Sequence, residues 1–186
     1  MQIFYLKNIK SDFLEGQEYN HCYNVLRKKV RDKIKLTDGK GNLYSAEIKE
    51  IKNKKIYLNK LKIIKSIKKN KNTYVAVAPP KSFNRVEWMV EKLTEIGVSK
   101  IFFIETSNSE RNKIRIERLE KKVISAMKQS YSRYKLIIDE FNTFGDFIIS
   151  VNDSQKLIPH IEKGERDMMY DQLKSNQNTC INQKPL

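Results

Sequence analysis

Three of the chain's eight arginines fall within eight residues of one another, at Arg111, Arg115 and Arg118 in "SERNKIRIERLEKKVISAMKQS" (residues 109–130). A guanidinium grips a phosphate through two parallel hydrogen bonds, which an ammonium cannot do. The clustering therefore says more than any of the many lysine runs. A second group, "VLRKKVRDK", holds Arg27, Lys28, Lys29 and Arg31. A third, "KSFNRVEW", sets Lys81 and Arg85 where a helical pattern starts, a place where free N–H groups and the positive dipole end favour an anion. Each group also has a plain reading: the solvated face of an amphipathic helix, an exposed loop, ordinary helix capping. Trp88, the single tryptophan, could stack on a base, but its helical spacing beside Met89 favours packing.

Other chemistries find little footing. Cys22, Cys180, His21 and His160 match no metal-ligand spacing, so no metal site is expected. No serine or cysteine sits in a nucleophile elbow, and neither a Walker A loop nor a GxGxxG stretch occurs, so nucleophilic catalysis finds no support. The formal net charge of +15 favours a polyanionic partner, RNA or DNA. Abundant Lys, Ile and Asn are also what an AT-biased genome encodes, so position has to carry the reading rather than charge. No apolar run approaches the roughly 20 residues that span a bilayer. With no signal-peptide layout at "MQIFYLKNIKSDF", the expectation is a soluble, cytoplasmic protein with no membrane partner and with reduced thiols.

The elements that must position these groups change character along the chain. Residues 1–70 are β-rich: "DKIKLTDGKGNLYSAEIKEIKNKKIYLNKLKIIKSI" alternates apolar and polar at period two over several stretches, with a "DGKG" turn and a second turn at Asn53. "EYNHCYNVLRKKVRD" before it reads as a short helix or turn, and together these predict a small β-barrel. The polar break "KKNKN" (68–72) marks a domain boundary. "TYVAVA" and "KIFFIE" are continuous apolar strands of the kind buried on both faces. Between them Val86, Met89, Val90, Leu93 and Ile96 recur at helical spacing, with Asn84 as cap, Glu87 as its capping-box partner and Gly97 as terminator. A helix is predicted over 112–130, with Ile116, Leu119, Val123, Met127 and Ser130 inward. Lys113, Arg115, Arg118, Lys121, Lys122 and Lys128 form its positive outer stripe. "KLIIDE" and "KLIPHIE" read as strands and "FGDFIIS" as a short helix. The segment 166–186 begins like a helix and turns polar, and no regular structure is expected in its last dozen residues.

Three blocks together, "HCYNVLRKKVRDKIKLTDGKG", "APPKSFNRVEWMVEKLTEIGVSKI" and "SERNKIRIERLEKKVISAMKQS", resemble the ribosomal RNA small subunit methyltransferase E family over about residues 1–165. The resemblance implies an α+β two-domain fold. A PUA-like, RNA-binding β-barrel (1–70) precedes a SPOUT-class α/β domain (72–165), which in that family ends in a deep C-terminal trefoil knot. It implies methyl transfer from S-adenosylmethionine to N3 of a uridine in the 16S rRNA of the small ribosomal subunit, and a homodimer. RNA contacts are then expected at Arg27, Lys28, Arg31, Lys81, Arg85, Arg111, Arg115 and Arg118. The family's Gly-Pro-Glu-Gly loop and its Leu-Gly-x-x-x-Leu-Arg segment have no counterpart after Arg166; the last glycine is Gly164. On that ground the SPOUT domain is expected to be incomplete, lacking the knot, with 166–186 an aberrant tail. No cofactor-binding residue is retained, dimerisation is not carried over, and the expected chain is inactive. Two further readings stay open, a non-catalytic rRNA-binding module and the product of a degraded or frameshifted gene.

Overall fold

The computed structural model describes residues 2–69, 72–107, 109, 114–151, 155–158 and 179–183, and at 140–142 and 179–183 the backbone alone. The chain divides into two compact units. The first is Met1–Lys68 with Met127–Lys135, and the second is Lys69–Ala126 with Leu136–Leu186.

The first unit carries a five-stranded sheet, built from β1 (Ile3–Tyr5), β2 (Phe13–Leu14), β3 (Lys33–Thr37), β4 (Asn42–Lys52) and β5 (Lys55–Ser66), in the order β1-β3-β4-β5-β2. The period-two pattern is the reason. Along β3 and β4, Ile34, Leu36, Tyr44, Ala46 and Ile48 point to one side and join Phe4, Leu14, Ile56 and Leu58 in a single core. A short helix, α1 (Gly16–Asn20), runs into a wide π turn at His21–Val25 that buries Cys22; burial raises that thiol to a pKa of about 11. Asn53 and Lys54 both hold positive φ, the geometry that a two-residue hairpin with native twist requires.

The β3–β4 turn is organised by Asp38. Its carboxylate accepts from the Lys40 backbone N–H (2.8 Å), from Asn42 Nδ2 (2.7 Å) and from the Tyr44 hydroxyl (3.0 Å). Burial pushes its pKa upward, but these hydrogen bonds outweigh burial and hold it below the usual carboxylate value. Gly41, at φ +99°, leaves no room for a Cβ, which would meet the Tyr134 ring and the Ile67 carbonyl oxygen. Residues 127–135, which the sequence places in the second domain, belong to this unit for the same reason. The Gly41 N–H donates to the Arg133 carbonyl, the Lys135 N–H to that of Gly39, and the Tyr134 hydroxyl to that of Ile67.

The second unit is a parallel sheet in the order β8-β7-β6-β10-β9. Its strands are β6 (Thr73–Val77), β7 (Lys100–Glu105), β8 (Ile137–Thr143), β9 (Gln155–Leu157) and β10 (Thr179–Gln183). β6 and β7 are buried on both faces, as their unbroken apolar sequence predicts. Val75, Val77, Ile101 and Phe103 face α2 (Phe83–Glu95) and α3 (Ile116–Gln129), where Val86, Val90, Leu119 and Val123 complete a core. Tyr74, Ala76, Phe102 and Ile104 face the other way, onto Phe147 and Val151 of α4 (Phe144–Ser150) and its end.

Several details depart from the sequence reading. Helix α2 is capped at Ser82, not Asn84, and Ser82 makes no side-chain capping bond. Ile96, at the C-cap, is exposed, because the helix ends before its side chain turns inward. Ser130 also lies exposed, one residue past α3. The tail expected to lack regular structure contributes β10, paired in parallel with β6 from Thr179↔Thr73 to Gln183↔Val77, and with β9 on its other side. Its short "TCINQ" has no periodicity to announce a strand, and the free edge of β6 supplies the template. The remainder of 159–178 and 184–186, including most of the expected "KLIPHIE" strand, lies outside the described residues.

Two measurements test this packing. Phe103→Ala should lower the unfolding free energy by about 3–5 kcal/mol in a urea titration, whereas Ile149→Ala, at an exposed position, should leave it nearly unchanged. Because the folded pKa of Asp38 is depressed, its stabilising contribution is present above about pH 4 and is lost as the pH falls through the folded value. Asp38→Asn should accordingly flatten the acid limb of the stability curve below about pH 4.

Candidate nucleic-acid interface

In the first unit, Arg27, Lys28 and Arg31 lie on the loop between the π turn and β3. Arg27 (φ 52°) and Arg31 (φ 75°) both adopt the left-handed backbone region, which costs a residue with a Cβ roughly 1 kcal/mol or more. Backbone hydrogen bonds hold them there. The Lys28 N–H donates to the Cys22 carbonyl (3.1 Å), Arg31 N–H to that of Ile48 (2.8 Å), and Ile48 N–H to that of Asp32 (3.0 Å). The Asp32 carboxylate accepts from the Lys29 N–H at 2.9 Å, closing the loop on itself. The result is a pinned backbone with the Arg27 and Arg31 side chains exposed and Lys28 half-buried. A loop fixed in this way presents cations with little ordering cost on binding.

In the second unit, Lys81 precedes α2, Arg85 lies in its first turn, Arg115 immediately precedes α3 and Arg118 lies in the first turn of α3. Both helices follow the C-terminal ends of parallel strands, β6 and β7, the side of an open α/β sheet where ligands bind. Arg118 ties the two helix starts together. Its Nε and Nη2 donate to the two carboxylate oxygens of Glu87 at 2.6 and 2.7 Å, and its guanidinium lies 5.1 Å from the Phe83 ring centre. The ion pair raises the Arg118 pKa. One turn further on, Lys122 Nζ meets Glu91 at 2.7 Å, and the hydrogen bond from Lys122 is the main cause of the lowered Glu91 pKa.

These pairs revise the picture of a positive outer stripe. Arg118 and Lys122 face carboxylates on α2, and Lys128, in the first unit, meets Glu18 at 2.6 Å with both side chains largely buried. Arg115 and Lys121 are exposed, and Lys113 and Arg111 lie outside the described residues. Sequence reading missed Glu87 and Glu91 as partners. Their signal was available, because they sit four residues apart on α2, matching Arg118 and Lys122 four apart on α3. Trp88, expected to pack, is 64 % exposed, since α2 turns Val86 and Val90 inward instead.

Glycine at either left-handed position relieves the Cβ strain, so Arg27→Gly and Arg31→Gly should hold or raise the thermal midpoint, read by melting. Arg118→Ala should instead lower the midpoint, because it unties α2 from α3.

Residues 68–182 match the family model of an RNA methyltransferase domain, and residues 14–61 match that of an RNA methyltransferase PUA domain. A probable rRNA-methyltransferase from Porphyromonas gingivalis is 34% identical with a TM-score of 0.87, over 100% of this chain and 80% of that one. Ribosomal RNA small subunit methyltransferase E of Rickettsia conorii is 25% identical over 163 residues, 88% of this chain and 66% of that protein. This chain thus spans slightly less than two thirds of that relative. The fold is also that of a ribosomal RNA small subunit methyltransferase E from Neisseria gonorrhoeae, solved with S-adenosyl methionine bound. There the TM-score is 0.80 at 20% identity, over 98% of this chain and 78% of that one. With both domains matched in order and an overall likeness that runs the length of the chain, this protein belongs to the ribosomal RNA small subunit methyltransferase E family of PUA-containing RNA methyltransferases.

Proposed function

We propose that this chain is a cytoplasmic 16S rRNA-binding protein of the SPOUT class, from a lineage that methylates N3 of a uridine with S-adenosylmethionine. The observation that carries the reading is the gathering of Lys81, Arg85, Arg115 and Arg118 at the starts of α2 and α3, beyond the C-terminal strand ends, held by the Arg118–Glu87 pair. The pinned Arg27–Arg31 loop of the PUA-like unit offers a second set of phosphate contacts. Arg111 belongs with them by sequence. The small ribosomal subunit is proposed as the partner on the likeness to the Rickettsia conorii ribosomal RNA small subunit methyltransferase E.

The donor is a separate matter. S-adenosylmethionine supplies an electrophilic methyl group, which must be held in line with uridine N3 at near-attack distance. The described glycines are Gly16, Gly39, Gly41, Gly97 and Gly145, at a helix start, in the β3–β4 turn, at the end of α2 and in α4. None of these five lies at the C-terminal end of β6, β9 or β10, and no transfer step is drawn through the donor. Because "DMMYDQLKSNQNTCINQKPL" holds no Gly-Pro-Glu-Gly loop, the proposal is that these 186 residues by themselves dock RNA without methylating it.

Calorimetry with S-adenosylmethionine should give no binding heat for this polypeptide. RNA affinity should fall steeply with salt, and Arg27→Ala and Arg115→Ala should each reduce the slope of log K against log salt by about 1. Methyl incorporation into small subunits by the polypeptide alone, or binding indifferent to both substitutions, would overturn the reading.

A further inference from the structure

Trp88 is the chain's one tryptophan, and 64 % of its surface is open to solvent on α2. An indole of that size left exposed on a helix whose other apolar side chains turn inward has no role in the core. Its neighbours on the helix surface, at three and four residues' distance, are Arg85 and Asn84 toward the helix start, both exposed, and Glu91 and Lys92 toward its end. The carboxylates of this helix are paired: Glu87 with Arg118, Glu91 with both Lys122 and Lys92, and Glu95 with Lys92. The first turn of α2 carries no acidic residue. The surface around Trp88 thus combines an open aromatic face with a guanidinium one turn toward the helix start, while the carboxylate one turn toward its end is taken up by Lys122 and Lys92.

We propose that Trp88 is a stacking platform for one unpaired base of the bound RNA, with Arg85 on the adjoining phosphate and Asn84 within reach of the sugar or base edge. The chemistry selects single-stranded RNA. A duplex keeps its base faces covered, whereas an unstacked base offers a π-face that any indole can meet. The proposal rests on the RNA-binding reading above and narrows it to a loop, bulge or strand end as the docking element.

The single tryptophan makes the test direct, because intrinsic fluorescence reports this one side chain. A single-stranded RNA oligonucleotide carrying a 5′-fluorescein should quench the 340 nm band in step with the rise in fluorescein anisotropy, and the corresponding duplex should not. Trp88→Ala should weaken single-strand binding about tenfold without altering the salt slope, Trp88→Phe should recover most of the affinity, and Arg85→Ala should lower the slope. Anisotropy that rises with no change in fluorescence, or equal quenching by the duplex, sinks the stacking role and leaves RNA binding standing. No rise in anisotropy for either RNA sinks both. An emission band that shifts to the blue with protein concentration and ignores RNA identifies a second copy of the chain as the occupant of this face, and also overturns the proposal.

Discussion

The burial of β6 and β7 on both faces governs the second unit. Alternate side chains of each strand enter different cores, Val75, Val77, Ile101 and Phe103 on one side and Tyr74, Ala76, Phe102 and Ile104 on the other. A shift of one residue in either strand would exchange the two sets, presenting Phe102 to the α2–α3 side and Phe103 to α4. The register is therefore strongly specified. Once it is set, the points where α2 and α3 begin are set with it, because both chains leave the sheet at the same end. The basic groups converge there as a consequence of packing, before electrostatics contributes anything.

Electrostatics then sorts the charges. An overall excess of cations suggests indiscriminate stickiness, yet the carboxylates of α2 neutralise a defined subset. Arg118 and Lys122 serve to join two helices, while Arg85 and Arg115 remain on the open surface. Isolated exposed ion pairs contribute little stability individually; the bidentate Arg118–Glu87 pair, resting on the Phe83 ring and joining two helix starts, contributes more and fixes their geometry as well. In the first unit the same division is achieved by the backbone, with strained arginines held by hydrogen bonds from the main chain.

Much of this was legible in the residues. Period-two alternation marked β3, β4 and β5, and the glycines of "DGKG" and the asparagine at 53 marked the two hairpins, because those turns need a backbone that few residues adopt. Unbroken apolar runs marked β6 and β7 for a related reason, since only a strand covered on both sides tolerates them. What stayed hidden depends on contacts distant in sequence. Glu87 offers two readings locally, cap partner of Asn84 or ion pair, and only the matched spacing of Arg118 and Lys122 further along the chain favours the second. Nothing in "TCINQ" tells that it will pair with a strand beginning at Thr73. The return of residues 127–135 to the first unit is invisible for the same reason, as main-chain hydrogen bonds carry no sequence signature.

The placement of β10 bears on how the molecule assembles. Its two neighbours in the sheet, β6 and β9, are drawn from residues 73–77 and 155–157, while β10 itself is residues 179–183. On an emerging nascent chain, β6, β7 and β8 can associate early, but one side of β6 stays bare until a segment about a hundred residues later has left the exit tunnel. Bridging that separation carries a large loop-closure entropy and slows the step. For that interval an unpaired parallel strand is open to any extended peptide nearby. The half-built sheet thus keeps that edge exposed until β10 closes it.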